Sequence, residues 1–191
     1  MMELRPDIII VVDKKAEVEF ELATKLKNLI GATGKYRAVL WGLKEYSDNE
    51  PKLTSSQKII FLGINSVSRR NESSIAQWKF QWNNLRYGWI GNTAIITMTE
   101  HKNYSDAEFK KFQAMCESHK MKVSNETIAD VMLGSLEGKI AAAIVLPITL
   151  INLGISAVGE AYQSRENQYT FLVNEFMLNG FSEYLNQGTN S

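Results

Sequence analysis

Two apolar runs without alternation, Ile8 to Val12 and Ile59 to Leu62, stand out along the chain. A strand that is apolar at every position has both faces covered, which is the pattern of a parallel sheet between helices. After the first run, Val18, Leu22, Leu26 and Leu29 fall on one helical face, with Glu17, Glu19, Lys25 and Lys27 elsewhere and Gly31 as the stop. A second strand is predicted over 36–41, and the polar stretch 47–56, containing Pro51, reads as a loop. The strand from Lys58 to Gly63 is the clearest of the set. Beyond it, Ile75, Trp78, Trp82 and Leu85 recur at helical spacing and predict a helix that buries both tryptophans. Gly88, Gly91 and Asn92 then punctuate the entry to a further strand, Thr93 to Met98.

Ser105 and Glu108 form an S-x-x-E capping box, which opens a helix with Phe109, Phe112 and Cys116 inward. Another helix is expected after Ser124. Strands alternating with helices imply right-handed crossovers. The expected fold is α/β, a Rossmann-like or flavodoxin-like parallel sheet of about four to five strands. That domain spans 1–123, and an all-helical region without strand candidates spans 124–191.

The helical region holds the most unusual pattern. Positions 140–159, between Lys139 and Glu160, are uncharged throughout. A helix of about 20 residues is about 30 Å long, the hydrocarbon thickness of a bilayer. Counting by seven from Ser135 gives Ala142, Thr149, Ser156 and Gln163; counting by seven from Gly138 gives Val145, Asn152 and Gly159. The two series are neighbours on a helix, so small and mildly polar residues make one stripe through an apolar cylinder. Gly134, Gly138 and Ala142 also repeat as small-xxx-small, which lets two helices approach closely while Thr149 and Asn152 hydrogen-bond across. Pro147 predicts a kink or a break. The aromatic segment after the run, with Tyr162, Tyr169, Phe171, Phe176, Phe181 and Tyr184, suits a helix covering a core or one lying at a membrane interface.

Composition narrows the function. Lys plus Arg equals Asp plus Glu at 21 each, so the excess of cations that builds phosphate-backbone binding is missing and nucleic acid is an improbable partner. Cys116 is the lone cysteine and cannot close an intrachain disulfide, which fits a cytoplasmic domain. With His101 and His119 the only histidines, a zinc site is not expected. The apolar run at 8–12 is too short for a secretory h-region. Lys120, Lys122 and Lys139 precede the long apolar run and Arg165 follows it. That imbalance would keep the α/β domain on the cytoplasmic side, at the inner face of a membrane.

In an open α/β sheet ligands bind beyond the carboxyl ends of the strands. Those ends carry Asp13 and Lys14, then Gly42 to Glu45, then Gly63 to Arg70, then Thr99, Glu100 and His101. The third loop is the richest in chemistry. Gly63 permits close backbone approach, Asn65, Ser66 and Ser68 offer hydrogen bonds, and Arg69 and Arg70 can meet a phosphate. Asp13, Asn65, Ser68, Arg69, Arg70 and Glu100 are therefore the expected ligand-binding residues, for a small anionic or nucleotide-like ligand. Glu100 and His101 beside Asp13 form an acid–base candidate only if the loops converge. Neither G-x-G-x-x-G nor G-x-x-x-x-G-K-[ST] is present, so no cofactor is implied. Cys116 lies on an apolar face and is expected to be a core residue rather than a nucleophile.

Two functional classes follow. In one, the α/β domain senses a ligand, and the C-terminal helices associate with a membrane or drive assembly, as in an effector or regulator. In the other, the chain is a soluble homo-oligomeric α/β enzyme acting on a nucleotide-like or other small anionic substrate. The expected helix interface or membrane residues are Gly138, Ala142, Pro147, Thr149, Asn152 and Ser156.

Overall fold

The computed structural model of the chain describes residues 6–32, 34–133 and 164–187. Among the described residues a sheet of six strands is flanked by helices on both faces, an α/β architecture with a mostly parallel sheet. Strand β1 (Ile8–Val12) lies between β2 (Ala38–Trp41) and β3 (Lys58–Leu62), parallel to both. Strand β6 (Thr93–Met98) runs parallel to β3, and β5 (Leu85–Ile90) and β4 (Phe80–Trp82) complete the sheet antiparallel. The order is β2-β1-β3-β6-β5-β4.

Every residue of β1 is buried because its two faces feed two different cores. Ile8, Ile10 and Val12 join one cluster, and Ile9 and Val11 join the other. The first face is covered by helix α1 (Glu17–Ala32), by the start of α4 (Asp106–Leu133) and by α5 (Arg165–Glu175). The second is covered by the short helix α2 (Leu43–Asn49) and by Ile64, Val67, Ile75 and Trp78 on either side of the short helix α3 (Arg69–Ser74), with Tyr46 set edge-on against Phe61 at 5.1 Å.

Two expectations change. Residues 75–90 are not a helix: Phe80–Trp82 and Leu85–Ile90 form a β-hairpin, which raises the strand count to six. Phe80, Trp82, Leu85, Tyr87 and Trp89 all face the same core, so the period of two overrides the helical spacing. Asn83 makes the turn possible with φ 53°, a conformation asparagine tolerates. Gly88 lets the incoming segment lie flat on the sheet, because a Cβ there would sit 3.1 Å from the Trp78 ring. The stretch expected as a loop instead begins with α2 and a turn of 3-10 helix, Glu50–Lys52. The Glu45 carboxylate starts α2 by accepting the Gly42 N–H at 2.9 Å.

The capping box at the start of α4 forms as a reciprocal pair: Glu108 Oε2 accepts the Ser105 N–H at 2.8 Å, and Ser105 Oγ accepts the Glu108 N–H at 3.3 Å. Helix α4 then continues unbroken through residue 124, where the composition shifts. The C-terminal segment runs from α5 through a π-helical stretch, Phe176–Gly180, into α6 (Phe181–Leu185). Of the two roles expected for its aromatics, it takes the core-covering one: Tyr169, Phe171, Phe176, Phe181 and Tyr184 are all buried in the sheet's first core. The apolar run 140–159, with Gly138, Ala142, Pro147, Thr149, Asn152 and Ser156, lies outside the described residues. Among the described residues no helix is long and apolar enough to cross a membrane.

Candidate functional site

The sheet order reverses direction between β1 and β3. From β1 the chain crosses by α1 to β2, and from β2 it returns by α2, on the opposite face, to β3. The loops leaving the carboxyl ends of β1 and β3 therefore part company and open a crevice between them. That crevice is a cleft of about 260 Å³ lined by residues from three strand ends and two helices. Its volume lies just below the range of about 300–1,000 Å³ typical of small-molecule sites.

Register sets the first two walls. Val12 pairs with Leu62, so Asp13 and Gly63 leave the sheet side by side. Asp13 turns the chain into α1, one carboxylate oxygen accepting the Lys15 N–H at 3.0 Å. Gly63 has φ +88°, a backbone region that strongly favours glycine. Asn65 folds the next turn, its Oδ1 accepting the N–H groups of Val67 and Ser68, each at 3.1 Å. Ser68 is fully buried and holds the same loop, donating to the Gly63 carbonyl and accepting the Asn65 N–H, each at 3.0 Å. These bonds consume one oxygen of Asp13 and the carbonyl of the Asn65 amide. The second Asp13 oxygen and the Asn65 amide nitrogen have no protein partner among the described residues.

The third wall joins β6 to the C-terminal helix. Met98 and Thr99 come from the strand end, Arg165 and Tyr169 from the first turns of α5. The Arg165 guanidinium grips the buried Glu19 carboxylate through both terminal nitrogens, with Nη1 to Oε2 at 3.2 Å. Tyr169 lies below, its hydroxyl donating to the Ile96 carbonyl at 3.3 Å; burial raises its pKa, so the hydroxyl is a neutral donor. Ser164 caps the helix by accepting the Asn167 N–H at 3.1 Å. A buried amide pair fixes the height of this wall. Asn84 Nδ2 donates to Gln168 Oε1 at 3.1 Å and to the Glu100 carbonyl at 2.6 Å, and Gln168 Nε2 donates to the Lys102 carbonyl at 2.6 Å.

Asp13 and Asn65, from the predicted set, thus share one cleft, with Ser68 buried behind them as a brace. Arg69 and Arg70 do not line it. They open α3 on the second face of the sheet, where Arg70 pairs with Glu50 at 3.0 Å. Glu100 and His101 lie beyond the β6 wall, both exposed and outside the lining, so the acid–base pair with Asp13 is not assembled. Glu19, Arg165 and Tyr169 are the residues sequence reasoning missed. Glu19 looked like an ordinary solvent-facing helix position, and its partner lies 146 residues away.

The chemistry of the cleft follows from its charges. Two carboxylates, Asp13 and Glu19, face one guanidinium that is already paired. An incoming anion would meet an uncompensated Asp13. Among the described residues no group of three potential ligands stands ready for a metal ion. Cys116 is buried in the first core, and burial pushes its thiol pKa up, so it stays protonated. No family model, curated protein or solved structure matches the chain.

Proposed function

We propose that this chain is a ligand-sensing protein with a doubly wound, flavodoxin-like sheet. In this reading the crevice between β1 and β3 receives a small polar ligand. The C-terminal helix carries the response to the apolar segment 140–159, which associates with a membrane or with other copies of the chain. The carrying observation is that Arg165 and Tyr169, from α5, line the same cleft as Asp13, Gly63 and Asn65. A ligand there touches the helix that begins six residues after the apolar run ends at 159. Its effect on that helix would equal its difference in affinity between two arrangements of the wall, with the Glu19–Arg165 pair, which joins α1 to α5, as the proposed point of change.

An uncharged run of that length is costly to expose to water, so a released segment needs a bilayer or another protein surface. The stripe Gly138, Ala142, Thr149, Asn152 and Ser156 offers the packing surface for assembly, and Pro147 a bending point.

The test is co-flotation of the full chain with anionic liposomes, together with light scattering. Both are read with and without a panel of nucleosides, nucleotides and sugars. Ligand-dependent flotation or a ligand-dependent change in mass supports sensing. A panel member that raises thermal stability through the cleft but changes neither overturns the output half of the reading. No stabilisation by any panel member overturns the sensing half.

A further inference from the structure

We infer that the cleft recognises an uncharged pair of adjacent hydroxyls, of the kind a ribose ring presents, and disfavours a phosphate in the same space. This names the ligand class of the sensing site and rests on that reading. Three observations carry it. First, the two unpartnered groups in the cleft are complementary to a hydroxyl. The second Asp13 oxygen only accepts, the Asn65 amide nitrogen only donates, and a hydroxyl does both. Second, these groups sit on the loops that leave two adjacent strands, Asp13 directly after β1 and Asn65 two residues past Gly63 after β3, and both line the one small cleft. Third, the local charge opposes an anion. Arg70 is paired to Glu50 on the other face of the sheet, and Arg165 is held by Glu19, so a phosphate would find Asp13 before it found a free cation. The rest of the lining mixes polar groups, Thr99 and Tyr169, with a smaller apolar share from Ala16, Leu62, Ile64 and Met98, a surface that suits a hydroxyl-rich ring.

The loop geometry supplies a clean experiment. Asp13→Asn keeps an oxygen for the Lys15 N–H but offers the ligand a donor in place of the free carboxylate oxygen. Asn65→Asp keeps an oxygen for Val67 and Ser68 but removes the free donor. Each change therefore preserves the turn and inverts the face shown to the ligand. The probes are adenosine, 2′-deoxyadenosine and adenosine 5′-monophosphate, titrated by calorimetry into the full-length chain.

Adenosine is expected to bind at least ~10-fold tighter than 2′-deoxyadenosine, and each single variant to weaken adenosine ~10-fold or more, the value of a hydrogen bond to a charged group. The double variant exchanges donor and acceptor, which a hydroxyl tolerates, so part of the affinity returns. Unchanged melting of the unliganded variants checks that the loops still fold. Three results would overturn the inference: 2′-deoxyadenosine binding as well as adenosine, the monophosphate binding tighter, or Asp13→Asn strengthening binding. If nucleotides bind in the cleft while nucleosides do not, the diol assignment falls and ligand sensing stands. If none of the three probes binds while another panel molecule does, the diol assignment falls in the same way. If nothing in the wider panel binds, both fall.

Discussion

The two ends of the C-terminal helical segment meet the sheet in opposite chemistry. At its finish, Tyr184 is wholly buried, with its hydroxyl 2.9 Å from the Ile59 carbonyl and 2.7 Å from that of Asn92, and Lys58 lies 5.3 Å above its ring. Lys58 also donates to the Gln187 carbonyl at 2.9 Å. Aromatic neighbours close this end: Phe176 and Trp89 each place a ring centroid 5.9 Å from that of Tyr184. At its start, Arg165 keeps 39% of its side chain exposed and answers one buried carboxylate, beside an open cleft. Burial of aromatic surface secures the first end, whereas a charge pair with water at hand secures the second. One end is closed by aromatic burial, and the other rests on a single ion pair at the mouth of a cleft.

The largest expected effect breaks the closed end. Tyr184→Ala should cost about 3–5 kcal/mol of stability through the cavity it leaves, read as a lower urea midpoint. Tyr184→Phe should cost about 1–3 kcal/mol, because two buried carbonyls lose the hydroxyl between them. Cleft ligands should still bind both variants under conditions where they remain folded. A similar loss from the arginine at the other end would erase the contrast.

Arg165→Met tests that end. It strands the Glu19 carboxylate, but partial exposure of the site lets water in, so about 1–2 kcal/mol is expected in place of the about 3–5 of a fully buried pair. Adding Glu19→Gln should recover most of it, which urea titration of the double variant reads directly. Gly63→Ala should cost about 1–2 kcal/mol from its φ alone, again read by urea, and its new Cβ would stand 3.5 Å from the Tyr169 hydroxyl.

The smallest effect lies away from both ends, at the start of α4. Lys102, the Ser105 N–H and Asn83 all bond the half-buried Glu108 carboxylate and hold its pKa down from 4.5 to about 2. A lowered carboxyl pKa contributes stability that is present above 4.5 and is lost as pH falls toward 2. Glu108→Gln should therefore lower stability at neutral pH and flatten the acid decline in that window. Urea midpoints across pH 2 to 7 check it.

How far the sequence foretold this structure depends on whether each signal was local. The unbroken apolar runs at 8–12 and 59–62 announced buried parallel strands, and Ser105 with Glu108 announced a helix start, because each signal lies within a few residues. Residues 75–90 misled because Ile75, Trp78, Trp82 and Leu85 satisfy a helical period while Phe80, Trp82, Leu85, Tyr87 and Trp89 satisfy a strand period around the Asn83–Asn84 turn. Asn-Asn between alternating aromatics was the signal that favoured the hairpin. At the site, Asp13 and Asn65 were legible from their places after β1 and β3. Arg70 turned away because Glu50 waits on the α2 side, and Arg165 arrived from the far end of the chain. Neither pairing leaves a trace in local sequence.

We propose that a ligand in the cleft acts on the start of the C-terminal helix and not on its finish. Hydrogen exchange of the full chain, with and without saturating adenosine, reads both ends at once. Slower exchange in peptides spanning 164–175, altered exchange across 134–163 and no change across 176–187 are expected. Unchanged exchange at 164–175 under saturation, or an equal change along the whole segment, would contradict it.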